Sequence, residues 1–234
     1  MVRRFLSVVS MVALISACGS DSPGPTITLS GPVNDLGNGE GLEGVEVCIL
    51  NTATCTQTDA DGSYTLDGVP AESNVSLSVT MPEYLGGVIP VITGSEATTV
   101  PVVSMGSELL SELQIGILDV PAVEDAGQIA FSISNGIFGD RINVPGIQVA
   151  LEPAAGDGPF YTTSGGLPDT ELTETSSNGG GVFVNLPAGA YILRYLNLPE
   201  GCTPMLGWGP VEAPSFEIAP GRTTYVRIEC AAGA

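Results

Sequence analysis

The chain of 234 residues contains no histidine and no lysine, and its six basic residues are all arginine. Without histidine there is no Ser-His-Asp or Cys-His triad, no His-ligated zinc and no imidazole acid or base near neutral pH. Without lysine there is no Schiff base and no P-loop lysine on a phosphate. Positive charge is scarce throughout, because 26 Asp and Glu set the formal net charge at -20. Neutralising a nucleic-acid backbone takes Lys and Arg, so that class of partner is excluded. Aromatic residues make up only 6%, with a single Trp. No apolar run is long enough to span a bilayer as a helix.

What is present points to short strands and many turns. There are 31 Gly and 18 Pro, and hydrophobic residues reach 43%, enough for a core. The length suits one or two domains.

At the N-terminus, Arg3 and Arg4 precede the apolar stretch Phe5 to Ile15, the order of a signal peptide. Ile15-Ser16-Ala17-Cys18 then resembles the bacterial lipobox, in which the cysteine is lipidated and becomes the new N-terminus. That resemblance implies a signal peptide over 1–17 and a lipid on Cys18. Gly19 after Cys18, in place of Asp, resembles outer-membrane sorting, with periplasm or exterior left open. The run from Gly19 to Pro25 is small, polar and Pro-containing, and we read 18–29 as a flexible tether.

Beyond Cys18 four cysteines remain, Cys48, Cys55, Cys202 and Cys230, and export makes a disulfide reading legitimate. Three connectivities are possible, and sequence proximity favours Cys48–Cys55 with Cys202–Cys230. A hairpin turning on Asn51-Thr52 sets Cys48 opposite Cys55. With no Cys-x-x-Cys pair and no histidine, a zinc site is not expected.

The body of the chain contains an internal repeat. Gly44 to Leu50, Thr58 to Pro70 and Val75 to Glu83 recur as Gly146 to Leu151, Thr175 to Pro187 and Ile192 to Glu200. From Thr58 to Glu83 the copies align without a gap at an offset of 117, and at the earlier strand the offset is 102. Copy two therefore carries 15 extra residues between them. Val45 to Ile49 and Val75 to Val79 alternate with period two, as does Tyr225 to Cys230, so these are half-buried strands. Asp61-Gly62 and Asn178-Gly179 are hairpin dipeptides.

Thr58-Asp59-Ala60-Asp61-Gly62-Ser63-Tyr64 and Val69-Pro70, after the Gly44-Val45-Glu46-Val47 strand, resemble the carboxypeptidase regulatory-like domain, a transthyretin-like (prealbumin-like) β-sandwich. Copy two departs from the pattern with Ser176 for the Asp and Gly181 at the Tyr64 position. The resemblance implies an all-β protein of two tandem Greek-key sandwiches, over 30–103 and 127–231. In that family the module is a non-catalytic companion or surface building block. The linker 104–126 holds Leu109, Leu110 and Leu113 at helical spacing, with Ser107 placed to cap and Glu108 in the first turn. It predicts one short helix packed on a sandwich.

Chemistry is sparse. Taking Gly62 as position six of an EF-hand puts Gln57 and Gly68 where the obligatory acids belong, so this is a hairpin turn. Asp59, Asp61 and Asp67 are left either as solvated acids or as ligands of a looser calcium site; no other metal or cofactor is expected. An enzyme would have to work with carboxylates alone, and with 26 to choose from no pair is singled out, so a carboxylate hydrolase is set below a non-enzymatic reading. The histidine-dependent hydrolases of the transthyretin-like fold are excluded outright. Removing residues 1–17 takes away Arg3 and Arg4 and sharpens the net charge to -22; Arg141, Arg194, Arg222 and Arg227 remain, all in copy two. Phe160 and Tyr161 in the insertion and Trp208 between Gly207 and Gly209 are the loop aromatics that could stack on a carbohydrate or peptide. The expectation is therefore a lipid-anchored cell-envelope protein serving as a structural or interaction module, and alternatively a carbohydrate- or peptide-binding lipoprotein.

Overall fold

Thr26 to Asp35 forms the first of the described strands because burial alternates along it: Ile27, Leu29, Gly31 and Val33 are buried while Thr28, Ser30 and Pro32 between them are not. The computed structural model describes residues 24–135, 142–206 and 209–232. The signal segment 1–17, Cys18, Arg141 and Trp208 lie outside the described residues. The strand also shortens the expected tether, since 26–29 belong to it and pair with Pro70, Val69 and Leu66. Ile27 and Leu29 had the alternation of a strand, and their burial overrides the tether reading.

The first sandwich contains β1 (Thr26–Asp35), β2 (Glu46–Ile49), β3 (Cys55–Gln57), β4 (Ser63–Pro70), β5 (Asn74–Thr80), β6 (Gly87–Ile92), β7 (Thr98–Thr99) and β8 (Val103–Met105). One layer runs β4-β1 and continues through β7 and β8, both parallel to β1; the other runs β6-β5-β2-β3. Leu29, Leu66, Leu77, Val79 and Met105 meet between them, fully buried. Each such side chain contributes about 1.5–3 kcal/mol.

After α1 (Glu108–Ile117) come β9 (Gly127–Asn135), β10 (Ile142–Asn143), β11 (Val149–Glu152), β12 (Asp157–Thr162), β13 (Pro168–Asp169), β14 (Gly180–Leu186), β15 (Gly189–Tyr195), β16 (Cys202–Leu206), β17 (Gly209–Pro210), β18 (Ser215–Ile218) and β19 (Thr223–Ala232). The order β13-β12-β14-β9-β19 forms one layer and β11-β15-β18 the other, with Ile129, Phe131, Phe183, Leu193 and Ile228 between. Among the described residues the fold is all-β with one helix, as the strand patterns imply.

The two sandwiches share register. Leu29 faces Leu66 across β1 and β4, and Ile129 faces Phe183 across β9 and β14. Gly62 and Gly179 both adopt positive φ, 82° and 72°, and a Cβ on either would run into a backbone carbonyl, of Val33 or Ile133. Past this hairpin the ungapped alignment fails. In β5 the buried residues are Val75, Leu77 and Val79; in β15 they are Tyr191 and Leu193, while Arg194 and Leu196 point outward. The offset drops to 116 because the second copy's turn is one residue shorter. A one-residue slip exchanges the two faces of a strand, and burial, not letter matching, selects the face.

Helix α1 begins as expected, with Ser107 Oγ accepting from the Leu110 N–H and Glu108 in the first turn. Its buried face is not. Leu109 and Leu113 are 66% and 60% exposed, while Leu110, Ser111, Gln114 and Ile115 turn inward and Leu118 is buried just beyond. Ile115 and Leu118 extend the row that starts at Leu110, and that longer row wins. Among the described residues no helix is long and apolar enough to cross a membrane.

Candidate functional site

The hairpin tips are organised by a threonine at the same place in each sandwich. Val45 N–H donates to Thr58 Oγ1 (2.8 Å), and the Thr58 hydroxyl donates to the Leu42 carbonyl. In the second copy Ile147 N–H donates to Thr175 Oγ1 (2.9 Å), and Thr175 donates to the Val144 carbonyl (2.8 Å). Both threonines are buried. A buried hydroxyl that accepts and donates ties the crossing segment to the hairpin without leaving a polar group unpaired.

The acids beside them are turn-closers. Asp59 Oδ1 accepts from the backbone N–H groups of Asp61 and Ser63, and Asp61 Oδ1 accepts from Ser63 N–H. The Ser63 hydrogen bond, with help from Asp59, holds the Asp61 carboxyl below its usual value. Asp67 lies on β4, where it accepts from the Thr28 hydroxyl at 2.6 Å, so Asp59, Asp61 and Asp67 are not brought together around one point. Among the described residues, the one grouping of possible metal ligands is Glu46 with Cys48 and Cys55, whose sulfurs are bonded to each other.

The disulfides join Cys48 to Cys55 and Cys202 to Cys230, the pairing that proximity favours. Cys48 and Cys55 are direct partners across β2 and β3, with Asn51 at φ 62° in the turn. The second bridge fastens β16 to β19.

The insertion of copy two is not a loop. It folds into β12 and β13 on the edge of the large sheet, because Asp157 to Thr162 completes the layer beyond β14. Tyr161 is thereby only 2% exposed, its hydroxyl accepting from Val149 N–H (3.0 Å) and its ring edge-on to Phe131. Burial removes it from the ligand-stacking set. Phe160, on the opposite face of β12, is half-buried, and Trp208 lies outside the described residues.

The feature that sequence reasoning missed is the junction. Strand β19 pairs in parallel with β9 of its own sandwich and, through Thr223 and Thr224, in parallel with Gly87 and Val88 of β6 in the first. One layer of each sandwich thus becomes a single continuous sheet. Gly87 permits it: a Cβ there would lie 2.6 Å from Tyr225 Cε2 and 2.8 Å from Val79 Cγ2. Tyr225 lies partly buried in this seam, and its burial pushes its hydroxyl up to about 12, partly offset by hydrogen bonds from Thr223 and the Gly106 backbone. Further along the same edge of β19, β16 takes over at Met205 to Cys202 opposite Glu229 to Ala232. Between β6 and β16 a stretch of that edge around Val226 and Arg227 is covered by neither, and there the fold holds a cavity of about 260 Å³. Its walls are mostly apolar: Ile89, Pro90, Val91 and Val103 from the first sandwich, Ala130, Phe131, Leu206 and Val226 from the second. The residues with polar side-chain groups are Ser104, Ser132, Tyr225 and Arg227, with Arg227 Nε donating to Ser132 Oγ at 3.4 Å. Leu36 closes one side, on a turn fixed by Asp35, which takes hydrogen bonds from the Tyr84 hydroxyl and from Gly37 and Asn38 N–H. The Tyr84 hydrogen bond holds the Asp35 carboxyl below its usual value. The available signal was Ala130, Val182 and Tyr225, apolar residues on the strand face turned away from their own core.

Comparison with known proteins bears on the first sandwich. Residues 28–105 match the carboxypeptidase regulatory-like domain. No curated protein matches the chain in sequence. Among solved structures, similar chains include GBS52, the minor pilin of Streptococcus agalactiae (14% identity, 89% of this chain and 97% of that one, TM-score 0.33). A second is the shaft pilin SpaA of Lactobacillus rhamnosus GG (9% identity, 90% and 98%, TM-score 0.29). A third is a type II cohesin–X-dockerin complex of Acetivibrio cellulolyticus (16% identity, 42% and 76%, TM-score 0.32). At these scores none of them carries an argument.

Proposed function

We propose that this is a lipid-anchored cell-envelope protein acting as a non-catalytic structural or interaction module, a stiff two-sandwich body on a short tether. The observation that carries the reading is the continuous sheet through Gly87 and Thr223, which fuses the sandwiches side to side instead of leaving them as beads on a linker. A fused pair presents both surfaces at a fixed separation, the property a spacer or scaffold needs. The second sandwich is a duplicate of the first, supported by the matching threonine hydrogen bonds at Thr58 and Thr175. The anchor is supported by Arg3, Arg4, the apolar stretch and Cys18 in lipobox order, and the exported setting by the two disulfides.

Two measurements test it. Mass spectrometry of the mature N-terminus is expected to find a diacylated or triacylated Cys18; an unmodified chain removes the anchor. Replacing Gly87 with Val forces the seam apart. Small-angle scattering should then show a larger radius of gyration while each sandwich stays folded, and an unchanged scattering curve refutes the fused body.

A further inference from the structure

The cavity at the seam combines apolar walls with polar groups that the protein itself already engages, and the structural role uses neither. Both sandwiches build it, with Pro90, Val91 and Val103 from the first and Ala130 and Leu206 from the second. Ser132 Oγ accepts from Arg227 Nε, and the Tyr225 hydroxyl shares hydrogen bonds with Thr223 and the Gly106 backbone. We propose that this cavity binds a compact, uncharged, hydrocarbon-like ring molecule of about ten non-hydrogen atoms.

Size, wall and charge each narrow the class. The volume of about 260 Å³ compares with the roughly 150 Å³ cavity that holds benzene, and scales to a bicyclic ring system of about ten atoms. An apolar wall cannot give water the two to four partners it needs, so hydrocarbon is the favoured occupant of most of the space. A charged head fares worse than water. Arg227 is the one charged side chain among the described lining residues, and its Nε already donates to Ser132 Oγ. An anion would compete for a guanidinium that the protein holds, a cation would meet a like charge, and either would surrender its hydration. An uncharged ligand leaves the Arg227–Ser132 bond in place and buries only carbon against carbon. Small-molecule sites favour junctions between domains, and the partly exposed Leu36, Pro101 and Val102 leave this one a way in.

The test titrates the mature, disulfide-bonded protein by fluorine NMR. Fluoronaphthalene is expected to bind one to one and to raise the melting temperature. Its carboxylate and ammonium counterparts, fluoronaphthoate and fluoronaphthylmethylammonium, are each expected to bind about tenfold more weakly or worse. Dihexanoyl phosphatidylcholine stands for the chains of a membrane lipid and should not displace the probe. Ala130→Leu fills the cavity and should weaken fluoronaphthalene about tenfold or more, with the melting temperature of the free protein unchanged or raised. Should that variant fail to fold, Val102→Ala enlarges the space and should shift the preference from fluoronaphthalene to the longer fluorobiphenyl. No saturable binding of fluoronaphthalene, equal or tighter binding of either charged counterpart, displacement by the lipid, or binding untouched by Ala130→Leu overturns the proposal. So does loss of binding in Leu109→Ser/Leu113→Ser, which would place the ligand on the exposed helix face. Scattering reads the fused body and mass spectrometry the anchor, so neither outcome is confused with these.

Discussion

Replacing Thr58 with Val keeps the shape of the side chain and removes its hydroxyl. Two backbone groups lose their partner, the Val45 N–H and the Leu42 carbonyl, and both sit at a buried crossing. Leaving a buried polar group unsatisfied costs about 1–3 kcal/mol, so the variant, which strands two, is expected to lose about 2–6 kcal/mol in all. Thr175→Val strips the Ile147 N–H and the Val144 carbonyl in the same way and should lose a similar amount. Thr→Ser at either position keeps the hydroxyl and deletes one methyl, at about 1 kcal/mol. Guanidinium denaturation followed by far-ultraviolet circular dichroism gives the comparison, provided the m-value is unchanged. If Ser proves worse than Val at both sites, or if Val costs under about 1 kcal/mol, the hydrogen-bonded crossing is not what holds the hairpin, and packing of the methyl is.

Other consequences follow from the same geometry. Burial raises the hydroxyls of Tyr64, Tyr195 and Tyr225, the last to about 12, above an unfolded value near 10. A raised folded value means stability that is whole below pH 10 and falls as pH rises toward 12. Absorbance at 295 nm should show these tyrosines titrating late and together with unfolding, and normal titration near pH 10 in the folded protein contradicts their burial. Reducing Cys202–Cys230, whose ends are 28 residues apart, should cost about 3–4 kcal/mol, and Cys48–Cys55, 7 apart, about 2–3 kcal/mol. Single Cys-pair variants measured by denaturant melts check the order. Arg194→Ala breaks the ion pair to Glu152, and because both side chains are about half exposed the loss should stay below about 1 kcal/mol in the same melts.

Local features were legible in the sequence. Asp61-Gly62 and Asn178-Gly179 mark positive-φ turns that only glycine suits, Cys48 and Cys55 share a midpoint with their hairpin, and Ser107 sits one residue ahead of its helix. Each depends on neighbours a few positions away. Features decided by distant packing were not legible. Tyr191 and Leu193 take the core face over Ile192 and Arg194 because a turn is one residue short, which letter alignment absorbs silently. Tyr161 looks like a loop aromatic until β14 supplies an edge for it to join. The Gly87–Thr223 pairing has no local signature, since a parallel contact between distant strands leaves no period in either. The cavity depends on that pairing and on where β16 stops, so it was hidden for the same reason.

Strand β19, the last of the described strands, is the one that touches most of the fold: β9 on one edge, β6 and then β16 on the other. Until it emerges, β6 is an open sheet edge whose partner lies well over a hundred residues downstream. The first sandwich can form early from its own strands, but the seam, the Cys202–Cys230 bridge and the cavity all wait for β19. A chain cut ahead of Thr223 would lose more than a strand. It would leave a first sandwich with an unguarded edge, ready to pair with another molecule.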